Sequence, residues 1–206
     1  MTFAPLPATA CWRHRGARSG FEVAYFQAGP DGWRMDGTTA AAEDGWAVEG
    51  TTAALEEGRT WVVTYSIRLD AGWVTRNARI MARTVSGSRE TFLQSDGTGR
   101  WLINGVLAPH LDGCLDVDLE SSAMTNTLPV HRLGLLERAQ ADAPAAYVRA
   151  LDLGVDRLEQ TYRRIADQAA RQRYDYAAPA FGFTSRLVYD ESGLVLDYPG
   201  IARRAG

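Results

Sequence analysis

An all-β fold is what the 206-residue sequence predicts, and two observations carry that prediction. The first is turn chemistry: Asp-Gly or Asn-Gly stands at Asp31-Gly32, Asp36-Gly37, Asp44-Gly45, Asp96-Gly97, Asn104-Gly105 and Asp112-Gly113. Such pairs accept the positive φ that tight hairpins demand, and the last three recur at the short, even spacing of an antiparallel meander. The second is period-two alternation between those turns. No linker or internal repeat breaks the pattern, so the expectation is one domain over residues 1–206 with little helix.

Taken in order, "RTWVVTYSIRLD" places Trp61, Val63, Tyr65, Ile67 and Leu69 on one face and Val62, Thr64, Ser66 and Arg68 on the other, a half-buried strand. After Asp70-Ala71-Gly72 the chain returns through "WVTRNARIMARTV", where Val74, Arg76, Ala78, Ile80 and Ala82 share a parity. Leu115, Val117 and Leu119 then alternate against Asp116 and Asp118. Phe183, Leu187 and Tyr189 fall on one parity, and Leu194, Leu196 and Tyr198 follow the Glu191-Ser192-Gly193 turn. One segment conflicts: over 157–170, Leu158, Tyr162, Ile165 and Ala169 have helical spacing, while "LEQTYRRI" also alternates. Periodicity alone favours a helix there.

Composition excludes several classes. A net charge of -3 with scattered signs argues against a nucleic-acid surface. All 22 basic residues are Arg, which fits a GC-rich coding sequence and carries no functional reading. Cys11 and Cys114 form neither a metal-ligand spacing nor a redox motif and read as small buried thiols. The start "MTFAPLPATACW" lacks a basic stretch followed by a long apolar run, and no segment has the length of a bilayer-spanning helix. The expected address is the cytoplasm, without stable membrane insertion.

Three blocks carry a family resemblance. "GCLDVDLESSAMTNTLPVHRLGL", "WVTRNARI" with its Trp73, Thr75 and Arg76, and the closing "GLVLDYPGIARR" resemble, in order and spacing, a bacterial family named "Putative glycolipid-binding". The likeness covers nearly the whole chain, and the "TNTLP" block is the specific one. It implies a single domain built on a long, strongly curved antiparallel sheet, a partly closed barrel with a groove. It also implies a strand near Leu158–Ile165, with "ADQAARQ" as a longer loop or short helical turn. The family name rests on likeness of shape to bacterial lipid and lipoprotein carriers, which is an argument from fold. This chain departs from the family pattern with His131 in place of a second Arg and Ser122-Ala123 in place of Thr-Pro. The block around Trp12 and Glu22 matches only loosely. If the missing Arg helps bind an anion, the departure implies weaker or pH-dependent binding.

The candidate site residues follow from parity and chemistry. Arg76 shares a parity with apolar neighbours, so an inward face would carry a guanidinium inward, where it needs a carboxylate or an anionic ligand. An internal salt bridge and a ligand contact weigh evenly. Asp116 and Asp118 share one strand face and could hold a cation, do acid–base work, clamp Arg76 or stand solvated, the structural reading being preferred. Thr125-Asn126-Thr127 before Pro129 predicts a turn or bulge whose side chains hold a loop or read hydroxyl groups. Trp33, Trp46, Trp73 and Trp101 stand near turns, as packing or as a groove mouth. His14, His110 and His131 fall in no nucleophile pattern, and no phosphate loop or zinc spacing is present, so neither cofactor nor metal is expected.

The leading expectation is a binding protein that holds a lipid or glycolipid-like small molecule in the groove of the bent sheet. Trp73, Thr75, Arg76, Asp116, Asp118, Asn126, Thr127 and Arg132 form the expected ligand set. Arg76 would meet an acidic group, Asn126, Thr127 and Arg132 would make polar contacts, and Trp73 would form an apolar wall. The alternatives are an enzyme using Asp116 or Asp118 as acid or base, and a structural or interaction domain whose groove is filled by its own side chains.

Overall fold

A computed structural model describes residues 3–29, 45–169 and 171–205. The turns expected at Asp31-Gly32 and Asp36-Gly37, together with Trp33 and Asp44, lie outside the described residues. The first half is a run of strands: β1 (Thr9–His14), β2 (Arg18–Ala28), β3 (Gly45–Glu56), β4 (Arg59–Asp70), β5 (Thr75–Thr84), β6 (Gly87–Ser95), β7 (Trp101–Ile103) and β8 (Val106–Leu107). A central segment holds β9 (Asp116–Leu119), the short helix α1 (Thr127–Leu133), β10 (Gln140–Asp142), β11 (Ala145–Val148) and β12 (Val155–Leu158). The chain then returns to hairpins through β13 (Thr161–Gln168), β14 (Arg171–Ala178), β15 (Phe183–Tyr189), β16 (Val195–Tyr198) and β17 (Ala202–Arg204).

The all-β prediction holds. Among the described residues, fourteen strands form one antiparallel sheet in the order β10-β13-β14-β15-β16-β17-β1-β2-β3-β4-β5-β6-β7-β8. Its end strands, β8 and β10, do not pair with each other, so hydrogen bonds leave the barrel open. A second sheet, β12-β11-β9, adds one parallel pair, β9 with β11, that alternation alone does not announce.

The inward face follows the predicted parity where the ladder is regular. Trp61, Val63, Tyr65, Ile67 and Leu69 of β4 are all buried, as are Ala78, Ile80 and Ala82 of β5. Gly50 of β3 lies under the Tyr65 ring, where any side chain would collide with the phenol. Asn104 and Gly105, both at positive φ, make the two-residue turn between β7 and β8.

Three expectations are corrected. The first concerns Arg76. Leu69 pairs with Thr75 but Arg68 pairs with Asn77, so Arg76 is the surplus residue of a β-bulge. The bulge resets the parity: Thr75 turns inward, and the Arg76 side chain stays 41% exposed, 3.7 Å from Asp70 Oδ2. It also lies against Gly97, where a Cβ would strike the guanidinium.

The second is "TNTLP": of the turn or bulge expected, the turn is present as 3₁₀-helix (Met124–Asn126), but it runs on into α1, a helix not expected there. Pro129 is the third residue of α1, within the first helical turn, where proline's fixed φ suits the helix. The third is 157–170. The strand expected near Leu158–Ile165 is present as the end of β12 and as β13, and the helix read from periodicity is not formed. Leu158, Gln160, Tyr162 and Arg164 are the buried residues, a period of two in which polar side chains hold two of the inward positions. "ADQAARQ" is not a long loop either: β13 reaches Gln168 across a register shift, and β14 starts at Arg171.

Apart from β10, which ends the large sheet, the central segment packs against the inner face of that sheet. Thr75 N–H donates to Leu115 O (2.9 Å), and Val117 N–H donates to Thr75 Oγ1 (3.1 Å), fixing the start of β9 to β5. Trp101 Nε1 donates to Cys114 O (2.9 Å), and Tyr189 Oη donates to Asn126 O (3.1 Å), tying the segment to both wings of the sheet.

Candidate ligand cavity

A largely polar strip, residues 116–127, crosses the interior, and each buried polar group there needs a partner. Glu22 of β2, fully buried, is the main anchor. Its Oε1 accepts the Tyr65 hydroxyl (2.7 Å) and the Ser122 hydroxyl, and its Oε2 accepts Ala123 N–H (2.8 Å). Burial pushes the Glu22 carboxyl up from its ordinary value, and these donors oppose the rise. Thr52 Oγ1 adds a bond to Ser121 O (2.8 Å).

Asp116 and Asp118 are buried, at 1% and 8% exposure. The solvated reading is corrected: all four residues of β9 are buried, so neither of its faces is open to water. Asp116 does not meet Arg76. Arg132, one turn into α1, grips it with Nε at 3.0 Å from Oδ1 and Nη2 at 2.5 Å from Oδ2, a two-pronged pair. Asp118 Oδ1 accepts the Thr125 hydroxyl (2.8 Å), and its Oδ2 accepts Gln160 Nε2 (2.5 Å). Burial raises both carboxyls from their ordinary values; Arg132 opposes this at Asp116, as Thr125 and Gln160 do at Asp118. Among the described residues, no group of three or more His, Cys, Asp or Glu side chains could hold a metal ion.

Beyond Asp118 opens a cavity of 320 Å³. Its floor is polar, with Asp118, Ser122 and Asn126. Its walls are aromatic, with Tyr147 of β11, Tyr176 of β14, Phe183 of β15, Tyr198 of β16 and Phe181 from the turn before β15. Tyr176, Phe183 and Tyr198 form a mutual cluster with centroids 6.0–6.2 Å apart, and Tyr147 lies 5.4 Å from Phe181. Phe181 is 58% exposed and marks the mouth. Arg18 also lines the cavity, but its guanidinium is engaged: Nη1 donates to Glu120 O (2.7 Å), and Nη2 stands 3.5 Å from both Glu56 and Glu120 carboxylates. Burial, and behind it the Asp118 charge, push the Tyr176 and Tyr198 hydroxyls above the usual phenol range.

Of the eight predicted site residues, Asp118 and Asn126 line this cavity. Thr75, Asp116, Thr127 and Arg132 do not line it: Thr75 bonds to β9, Asp116 pairs with Arg132, and Thr127 is fully buried. Trp73 stacks on His131, and Trp46 lies 5.4 Å from Trp73, so neither is at the mouth. Trp101 is fully buried in the core. The missed residues are the tyrosines and phenylalanines of the last third. No local pattern marks them as a set: Tyr147, Tyr176, Phe181, Phe183 and Tyr198 come from separate elements that only the long-range pairings bring together.

A family model described as "Putative glycolipid-binding" matches residues 9–204. A crystal structure of a DUF1089 family protein from Pseudomonas aeruginosa is 30% identical, with a TM-score of 0.69, covering 100% of this chain and 98% of that one. A β-barrel-like protein of domain of unknown function DUF1849 from Brucella abortus shares the fold at 13% identity and a TM-score of 0.53, covering 98% and 96%. No curated protein matches the chain.

Proposed function

Because the chain belongs to the family described as "Putative glycolipid-binding", we propose that its cavity holds a small amphipathic molecule, a lipid or glycolipid, by its head. The observation that supports this reading is the 320 Å³ hollow with an aromatic wall, a polar floor and one exposed ring at its mouth. Ligand pockets are concave, mostly apolar and furnished with a few convergent polar groups. Asp118 and Asn126 are the polar contacts retained from the expected set. Trp73, Thr75, Asp116, Thr127 and Arg132 act indirectly, by fixing β9 and α1 behind the floor, and Arg76 is outside the contact surface.

Native mass spectrometry of the protein isolated from its own source tests the proposal. A co-purified mass is expected; Ile201, just after β16, also lines the cavity, and Ile201→Trp, which places an indole there, is expected to lose the mass while keeping the fold. An empty wild-type protein, or a variant that keeps the cargo, overturns the reading.

One observation favours a second reading, catalysis by Asp118: its carboxyl is raised and lines a cavity. Against it, both oxygens already accept bonds from Thr125 and Gln160, which suits a fixed acceptor better than a proton carrier.

A further inference from the structure

We propose that the cavity selects an uncharged sugar-like head, a ring bearing several hydroxyls and no phosphate or carboxylate. This deepens the proposed binding function and rests on it. Four features support the choice.

The charge on the lining is the first. One cation, Arg18, stands against two carboxylates, Asp118 and Glu120. Arg18 is already bracketed by Glu56 and Glu120 and bonded to a backbone carbonyl. An anionic head entering here would lose its hydration, find no free guanidinium and meet Asp118 at short range, which is discrimination by an unpaired charge.

The second is the acceptor geometry of the floor. Each Asp118 oxygen takes one protein donor, Thr125 on one side and Gln160 on the other. A carboxylate oxygen has room for a second donor, so the floor can accept hydroxyls from a ligand without releasing its own partners. Ser122 and Asn126 stand beside it.

The third is the aromatic cluster. Tyr176, Phe183 and Tyr198 offer flat apolar faces together with phenolic hydroxyls, suited to the C–H face and polar rim of a sugar ring. The fourth is size: 320 Å³ is near the small end of the roughly 300–1,000 Å³ that ligand pockets span, enough for one ring and the start of a chain. The exposed Phe181 lies where the chain would leave.

Calorimetric titration with three probes below their micellar concentrations tests this: octyl β-glucoside, octyl phosphate and octanol. The glucoside is expected to bind about ten-fold tighter than either of the others, the difference one charge-assisted hydrogen bond supplies. Asp118→Asn is expected to weaken the glucoside about ten-fold and to narrow its advantage over the phosphate. Ile201→Trp is expected to abolish binding of all three. Octyl phosphate binding as well as the glucoside overturns the choice of head and leaves the cavity reading standing, as does octanol binding equally well. No binding by any probe overturns both. Should Asp118→Asn fail to fold, the wild-type ranking of the three probes decides the question alone.

Discussion

Trp73 and His131 stack with ring centroids 3.8 Å apart and planes 18° from parallel. Phe3 lies 4.2 Å from the same imidazole, so the ring is enclosed by aromatic surface. Burial holds His131 down at about 4, although a Ser192 backbone contact and the Asp190 charge pull the other way. His14 is lowered to about 4 as well, by burial and then by Arg18.

Both imidazoles are therefore neutral in the fold, and the unfolded chain binds more protons between pH 4 and about 6.5. Their contribution is complete above pH 6.5 and is lost as the pH falls through 4, about 3 kcal/mol for each. The raised carboxyls of Glu22, Asp116 and Asp118 act oppositely, weakening the fold as pH rises above their unfolded values. The measurable quantity is thus a difference. His131→Phe keeps the stack and cannot titrate, so its melting temperature relative to wild type should rise as the pH is taken from 7 to 4.5. A constant offset across that range refutes the assignment.

The Asp116–Arg132 pair predicts a non-additive cycle. Asp116→Leu leaves a guanidinium that is only 13% exposed facing apolar surface, and should cost about 3 kcal/mol in urea unfolding. Adding Arg132→Met should restore most of it. Losses that simply sum would show that the two side chains do not act together.

Gly50→Ala should displace the Tyr65 ring, break its bond to Glu22, and destabilise the protein by about 1–3 kcal/mol as overpacking does. Gly50→Ala combined with Tyr65→Leu should be less damaging than Gly50→Ala alone. Equal stability of wild type and Gly50→Ala would mean the close approach is unimportant.

Arg76→Ala should lower stability by less than about 1 kcal/mol, because its ion pair is long and half in water. Ligand-induced stabilisation should survive the change. Its loss would return Arg76 to the binding surface.

The sheet was legible wherever the ladder is regular. Trp61 to Leu69 face inward as alternation requires, and Ala78, Ile80 and Ala82 do the same on β5. Arg76 was misplaced because a bulge inserts one residue and reverses the faces upstream of it, and no residue type marks where that happens. On β9, alternation leaves several readings of Asp116 and Asp118 open, because it cannot show that both are buried or that their partners are Arg132 of α1, Thr125 and Gln160. Pro129 did not announce α1, because a first-turn proline and a strand-edge proline are identical in sequence. The cavity was not legible at all, since its rings come from five separate elements that only the long-range pairings assemble.

Cys11 and Ala205, 194 positions apart, join through a backbone bond of 2.9 Å and a thiol contact of 3.1 Å, where β17 pairs with β1. That seam lies at the interior of the strand order, not at either margin. A nascent chain can therefore lay down the β2–β8 hairpins while they emerge, yet it must carry the flank of β1 bare until β17 is synthesised. An open flank of this kind invites pairing with other molecules. Such late stitching leaves β1 as an interior edge of the sheet that only the last-made strand covers.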